Sequence, residues 1–412
     1  MKLIAFDFDA TVIDGETLME IGRLAGKYEQ AQREIEQSIN EKNSYGTSIR
    51  KRVEMFKNVE KGEIERKMGE IPLIPGTEET LETLRGLNYY RILVTGNFSI
   101  CTSRVQHHFD EIFCNELAFE NGKMTGAIKS FPIDSAEKKG KIVESVKKDL
   151  NADFSASVGD SSADSYLLKS TDCAIGFLPK KSIWDELQFI VIEKNLTNIL
   201  KCLPEYYVNN AEMTALEDHH ADYGISKLEM MENAGRKAAL FVEILNPNKI
   251  FCVAGKGNNG GDALACARFL EERNKKVSAS IMEEPNKLEA RINYETAMGN
   301  ELFELNVGKI RIEDAGKGDV IVDGIFGIGL EGEARGEALE WINEVNKAKE
   351  RGAVVVSLDV PSGLHEGVTK TAVCTDYTVC FERVKKIAAD KKNGKFVGKI
   401  APVGIFSPLD AE

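Results

Sequence analysis

Short apolar runs alternate with longer, charged amphipathic stretches along both halves of the chain. In the first half the runs Lys2–Phe8, Tyr90–Thr95, Ser155–Gly159 and Cys173–Gly176 have strand length, and each ends in a polar or glycine-bearing turn. Strands of this kind between helical stretches predict a parallel sheet covered by helices, with its sites at the carboxyl ends of the strands. Between about residues 15 and 75 the pattern becomes helical and highly charged. An insertion of that size after the first strand predicts a helical cap over the strand ends.

A second series begins after Pro204. Helices are predicted over Ala211–Tyr223 and Ser226–Leu245, and strands over Lys249–Ala254, Lys276–Ile281, Val320–Asp323, Val354–Asp359 and Tyr377–Cys380. The stretch Leu196–Asn210 is the expected boundary, giving domains over 1–203 and 204–412. A chain of 412 residues is too long for one ordinary core, so two domains suit its length.

Composition narrows the function classes. With 42% hydrophobic and 29% charged residues the chain is globular. No apolar run approaches the roughly 18 residues of a membrane span, and nothing near Met1 has the pattern of a signal peptide. A cytoplasmic protein with no membrane partner is expected. The net charge of -13 argues against nucleic acid as a partner, since the long-range field would repel it. The lysine-rich stretches Lys138-Lys139-Gly140-Lys141 and Lys385-Lys386 are expected to be solvated surface. The eight cysteines stand singly and are expected to be reduced, mostly buried thiols. His107-His108 and His219-His220 lack a metal-ligand partner and are expected at the surface.

Candidate chemistry in the first half starts with Asp7-Phe8-Asp9-Ala10-Thr11, two carboxylates one residue apart after a strand. Such a pair could hold a divalent metal, or one could attack while the other moves a proton. Three further elements follow in order. Val94-Thr95-Gly96-Asn97 ends the next strand with a hydroxyl suited to a phosphate oxygen. Lys139 lies at the start of a helix, where a fixed cation could neutralise a carboxylate and a phosphate. Gly159-Asp160-Ser161-Ser162-Ala163-Asp164 ends another strand with two more carboxylates.

Together these residues resemble the haloacid dehalogenase superfamily, and within it the phosphoserine phosphatases, over roughly the first 200 residues. The resemblance implies that Asp7 is the nucleophile forming an aspartyl-phosphate and that Asp9 is the general acid and base. Mg2+ would be held by Asp7, the backbone carbonyl of Asp9 and Asp160, with Asp164 nearby. Thr95 and Lys139 would steady the phosphoryl group. Glu16 and Arg52 match the positions that take the ammonium and carboxylate of phosphoserine. Asn97 and Ala163 depart from that family, which usually carries glycine and asparagine there.

In the second half the segment Phe251-Cys252-Val253-Ala254-Gly255-Lys256-Gly257-Asn258-Asn259-Gly260-Gly261-Asp262-Ala263 runs from an apolar strand through a glycine- and asparagine-rich loop to a helix expected near Asp262. Free N–H groups at a helix N-terminus, approached closely because glycine has no side chain, form a phosphate cradle. The pattern is neither a Walker loop nor Gly-x-Gly-x-x-Gly. Asp323 ends a later strand before the loop Gly324-Ile325-Phe326-Gly327-Ile328-Gly329-Leu330. Asp359 ends another, before Val360-Pro361-Ser362-Gly363. Met231-Glu232-Asn233-Ala234-Gly235 lies within an amphipathic helix.

This set resembles the YjeF N-terminal family, the NAD(P)H-hydrate epimerases, over roughly 211–390. The resemblance implies that hydrated NAD(P)H is bound by Asn258, Asn259, Gly260, Gly261 and Asp262, by the loop Gly327, Ile328, Gly329, Leu330, Glu331, Gly332 and Glu333, and by Asp359. It implies K+ at Asn259, Asp323 and Ser362, with Asp359 moving protons at the hydrated nicotinamide carbon. Ala263 stands where glycine is usual, and Phe381–Lys386 follows the family pattern only loosely. The expected architecture is α/β: two Rossmann-like three-layer αβα domains, the first with a helical cap.

The expected substrates are therefore a small phosphomonoester and hydrated NAD(P)H. The residues leave three readings open: two working enzymes, a phosphatase with a non-catalytic binding or assembly module, or an epimerase with a vestigial phosphatase. They also leave open whether the chain forms a homodimer.

Overall fold

The computed structural model describes residues 1–39, 45–299, 303–367 and 369–407. Contacts divide the chain into two compact units, Met1–Leu200 and Lys201–Glu412.

The first unit holds strands β1 (Lys2–Phe6), β2 (Tyr89–Phe98), β3 (Glu111–Glu120), β4 (Lys123–Ser130), β5 (Phe154–Gly159), β6 (Cys173–Phe177) and β7 (Phe189–Val191). They lie in the order β7-β6-β5-β1-β2-β3-β4, all parallel except β4. From β1 the chain builds outward on one side through β2 and β3, and on the other through β5, β6 and β7. The switch in direction lies between β1 and β5. In such sheets a crevice opens there, at the carboxyl ends of the strands. Leu3, Ile4, Ala5 and Phe6 are fully buried, as a central parallel strand covered on both faces requires.

Four helices, Thr17–Leu24, Tyr28–Ile39, Tyr45–Met55 and Lys61–Glu70, occupy the interval where a helical cap is expected. Residues 40–44 of that interval lie outside the described residues. The β3–β4 hairpin was not expected from the pattern of apolar residues. Its turn, Asn121-Gly122, has φ of 50° and 79°, the geometry that favours Asn-Gly in tight hairpins. The signal was in the sequence, but the flanking strands are too exposed to stand out.

The second unit is an all-parallel sheet of β8 (Ile250–Ala254), β9 (Val277–Ile281), β10 (Glu304–Val307), β11 (Val320–Gly324), β12 (Val354–Leu358), β13 (Tyr377–Phe381) and β14 (Lys399–Val403). The order is β10-β9-β8-β11-β12-β13-β14, so the switch in direction lies between β8 and β11. The helix Glu337–Glu350 packs Trp341, Ile342 and Val345 on Phe251, Val253, Ile321 and Val355. Each aliphatic side chain buried there contributes about 1.5–3 kcal/mol. The helices Asn210–Asp222 and Lys227–Ile244 both start with capping boxes, Asn209 with Glu212 and Ser226 with Glu229.

Among the described residues no helix is long and apolar enough to cross a membrane. The eight cysteines carry free thiols, six of them buried. His108 departs from the expected surface histidine: it is buried against Glu78 and Glu82, where loss of solvent and its neighbour His107 lower its pKa.

Candidate functional site

Each unit gathers buried charge at the switch point of its sheet. In the first unit β1 ends at Phe6, so Asp7 and Asp9 belong to the loop beyond it and not to the strand. Asp7 continues the ladder by donating its N–H to Val158 O at 2.9 Å. Lys139, on the helix Ala136–Asp149, donates from Nζ to Asp7 Oδ1 at 2.6 Å and to Asp164 Oδ1 at 2.7 Å. Asp164 is fixed from its other oxygen, which accepts from Asp160 N–H at 3.3 Å and Ser161 N–H at 3.2 Å. Carboxylate oxygens of Asp7, Asp160 and Asp164 lie within 4.8 Å of one another. Three buried carboxylates, met by the buried Lys139 and by the exposed Lys180 at 3.9 Å from Asp160, keep an excess of negative charge that fits a hard divalent cation.

The electrostatics follow from that crowding. Burial, then Asp164, push the Asp7 carboxyl up to about 7, with Lys139 opposing. Burial and Asp164 likewise raise Asp160 to about 6. Burial alone would lower the Lys139 ammonium, but Asp164 and Asp7 outweigh it and hold it well above the usual lysine range. Asp9 is raised by burial and by Glu16. Its carboxylate accepts from Thr17 N–H at 3.0 Å and from Thr17 Oγ1 at 3.1 Å. Thr95 is buried, its hydroxyl accepting from Asn97 N–H at 3.1 Å.

The cap supplies the rest of this pocket. Arg52, on the helix Tyr45–Met55, donates from Nε to Ser48 O at 3.4 Å. Burial lowers its pKa, while Tyr45, Glu16 and Asp9 oppose that shift. Tyr45 was missed by sequence reasoning. Its hydroxyl fills the space a side chain at Gly96 would need, 1.9 Å from where a β-carbon would lie. Burial raises the phenol's pKa, with Lys139 opposing.

In the second unit the helix begins at Asn258, not near Asp262, so Asn258–Asp262 form its first turn. Asn258 is exposed and Asn259 buried. The glycines are there for close approach. A β-carbon on Gly260 would lie 1.8 Å from Gly255 O, and one on Gly255 would lie 1.9 Å from Ile325 O. Gly260→Ala is therefore expected to cost at least about 1–3 kcal/mol. Gly257→Ala meets nothing within 4 Å and should be near neutral. Thermal unfolding of the two variants checks the contrast.

Asp323 is fully buried and loaded with donors: Ser357 Oγ at 2.7 Å and Ser362 N–H at 2.9 Å to Oδ2, and Ile325 N–H at 3.3 Å to Oδ1. Burial raises its pKa and these bonds hold it back. Asn259 Nδ2 donates to Phe326 O at 2.9 Å, and Ser362 Oγ donates to the same carbonyl at 3.2 Å. Asn259, Asp323 and Ser362 thus gather around one turn. In the following loop Ile328 O accepts from Asn210 Nδ2 at 2.7 Å. Glu333 accepts from Lys370 N–H at 2.8 Å and faces His365 Nε2 at 3.4 Å. Gly327 lies beside Asn259, while Gly329, Glu331 and Gly332 are exposed and Leu330 is half-buried.

Asp359 sits just past β12 with φ of 63°, a left-handed conformation that aspartate and asparagine adopt more readily than most residues. Its N–H donates to Val379 O at 2.8 Å, and its carboxylate pairs with Lys385 Nζ. Lys385 is 1% exposed and also donates to Phe381 O at 2.8 Å. The expectation that the two lysine-rich stretches are surface is wrong at one residue in each. Lys139 and Lys385 are buried, each paired with an aspartate just past the carboxyl end of a strand.

The two halves of the chain match two different families. The family described as haloacid dehalogenase-like hydrolase matches residues 4–169, and that described as YjeF-related protein N-terminus matches 227–387. The phosphoserine phosphatase of Methanocaldococcus jannaschii is 30% identical over 204 residues, 48% of this chain and 96% of the relative. The NAD(P)H-hydrate epimerase of Cenarchaeum symbiosum is 32% identical over 212 residues, 49% of this chain and 95% of the relative. A bifunctional NAD(P)H-hydrate repair enzyme Nnr of Thermosynechococcus vestitus is 34% identical over 212 residues, and this chain spans 39% of its length. The chain is a fusion that belongs to the haloacid dehalogenase-like hydrolases through its first half and to the YjeF-related N-terminal family through its second.

Proposed function

We propose that the chain is a bifunctional enzyme, a Mg2+-dependent phosphomonoesterase joined to an NAD(P)H-hydrate epimerase. One observation carries this: each unit buries a lysine–aspartate pair at the carboxyl end of its sheet, Asp7 with Lys139 past β1 and Asp359 with Lys385 past β12. Buried ion pairs are weak contributors to stability, so a scaffold gains little from them, whereas active sites are where such charge is concentrated.

In the first unit Asp7 attacks phosphorus and forms an aspartyl-phosphate, while Asp9 gives a proton to the departing alcohol oxygen. Asp9 then takes a proton from the water that attacks the aspartyl-phosphate, which releases phosphate and restores Asp7. Lys139 and Thr95 hold the transferring oxygens. Mg2+, held by Asp7, Asp160 and the backbone of Asp9 with Asp164 in support, would offset the repulsion between an anionic nucleophile and an anionic ester. Phosphoserine is the proposed substrate: Glu16 for its ammonium, Arg52 for its carboxylate. Ala163 and Asn97 alter the polar lining around the phosphate.

In the second unit Asn258–Asp262 and Gly327–Glu333 bind the hydrated dinucleotide, and Asp359 moves the proton at the hydrated ring carbon with no redox change. The oxygen donors of Asn259, Asp323 and Ser362 suit a monovalent cation such as K+, which would hold the two loops in register.

Arg52→Ala tests the substrate assignment. The KM for phosphoserine should rise about 100-fold, the loss of a charge-assisted bidentate contact, with little change for p-nitrophenyl phosphate. Equal effects on the two esters would remove phosphoserine from the proposal.

A further inference from the structure

The helix Asn210–Asp222 is poor in apolar contacts, with only Met213 buried. Its inward residues Asn210, Met213, Glu217 and His220 are spaced by three and four, which is one helical face. Three of them fix that face against the rest of the second unit. Asn210 bonds Ile328 O in the dinucleotide loop, Met213 is buried, and His220 stacks on Phe406 with ring centroids 4.0 Å apart. The N-terminal end is tied to the Lys385 segment as well, through the Val208–Lys385 bridge and the Glu212–Lys386 pair at 2.9 Å.

The fourth inward residue, Glu217, is a carboxylate in the middle of this face. It senses Asp359 beyond β12, Lys385 beyond β13, Lys227 on the next helix and its own neighbour Asp218. Asp262, on the first turn of the helix Asn258–Glu272, senses both Asp359 and Glu217. Asp359, Glu217 and Asp262 thus share the field of one buried ammonium, and Lys385 makes its ion pair with Asp359. Burial, then Asp359, raise Glu217, with Lys385 opposing. A carboxyl in such a place keeps its proton more readily than one in water.

We infer that Glu217 is a second proton-transfer group of this site, a carboxylic acid that serves the substrate opposite the Lys385-paired Asp359. The inference rests on reading this unit as an epimerase. The hydrated carbon carries a hydroxyl and is bonded to the ring nitrogen. As its C–O bond breaks, the electron pair leaves with oxygen, which takes the Glu217 proton and departs as water. The nitrogen lone pair forms C=N. Water then adds to the other face through its own electron pair, the C=N pair returns to nitrogen, and Asp359 takes the released proton. Atoms and charge balance. The two carboxyls end with exchanged protonation, set for the reverse conversion or reset by solvent.

The test uses the full chain with mixed NADHX epimers, excess S-specific dehydratase and ATP, and follows the slow phase that reports conversion of R. The parent should show a bell-shaped dependence of kcat on pH, with Glu217 setting the high-pH limb because it must be protonated to act. Glu217→Gln should lower kcat about 100-fold, leave KM within about twofold and abolish that limb. Glu217→Asp should keep the bell at reduced height. Unchanged kcat in Glu217→Gln, or a fall in kcat with the bell intact, overturns the inference and leaves the epimerase reading standing. A parent chain that clears the R epimer no faster than it converts unaided overturns both.

Discussion

Asp7→Asn is expected to lower phosphomonoester hydrolysis by at least about 10⁴-fold while the protein stays folded. The change is nearly isosteric, and the amide oxygen can still accept from Lys139, which keeps its second partner Asp164. Only the nucleophile's charge is lost. Since Asp7 is one of three carboxylates that crowd the same few ångströms, its loss also relieves repulsion, so the fold should be no less stable. Initial rates with Mg2+ and a panel of phosphomonoesters, alongside thermal unfolding, check both halves of this expectation. Parent-like hydrolysis would mean that Asp7 is not the nucleophile.

Asp359→Asn is expected to slow conversion between the NADHX epimers by about 10²–10⁴-fold with little change in dinucleotide affinity. Asparagine is the informative choice. Asp359 has positive φ, a conformation asparagine tolerates better than most residues, and its amide oxygen can still accept from Lys385. Both substitutions remove the counter-charge of the buried Lys385, but Asp359→Ala removes the acceptor as well, and a lost activity would then mix folding with chemistry more severely. The contacts proposed for the dinucleotide, Asn258–Asp262, lie on another element and do not depend on Asp359. Binding and turnover should therefore separate when affinity is titrated and the slow R-to-S phase is followed on the same sample. An Asp359→Asn protein that converts R as fast as the parent would make Asp359 structural.

The sequence revealed the parallel strands because each is a nearly continuous apolar run, and revealed the acidic residues because each stands just after such a run. Asp7, Asp160, Asp323 and Asp359 all end up at the carboxyl ends of strands for that reason. It did not reveal strands that are short or half-exposed, such as β3, β4, β7 and β10, whose residues resemble loop in composition. The start of the helix at Asn258 was displaced because asparagine and two glycines are poor helix formers. Gly260 is needed there because a β-carbon would lie 1.8 Å from Gly255 O.

The lysines are the instructive failure. Lys139 and Lys385 each lie next to another lysine or one residue from it, and local charge density describes a solvated face. What buries them is a partner far along the chain, Asp7 for one and Asp359 for the other, in sequence terms 132 and 26 residues away. Tyr45 and Glu217 were invisible for a related reason. Each is an ordinary helical residue until the helix that carries it is laid over a pocket.

The central claim is that one chain carries two independent active sites. Its most direct measurement assays Asp7→Asn and Asp359→Asn for both reactions, each as the full chain beside the parent. The account predicts a crossed result. Asp7→Asn loses ester hydrolysis and converts R-NADHX at the parent rate, and Asp359→Asn does the reverse. A parent chain lacking either activity, or a single substitution that abolishes both in a folded protein, would contradict it.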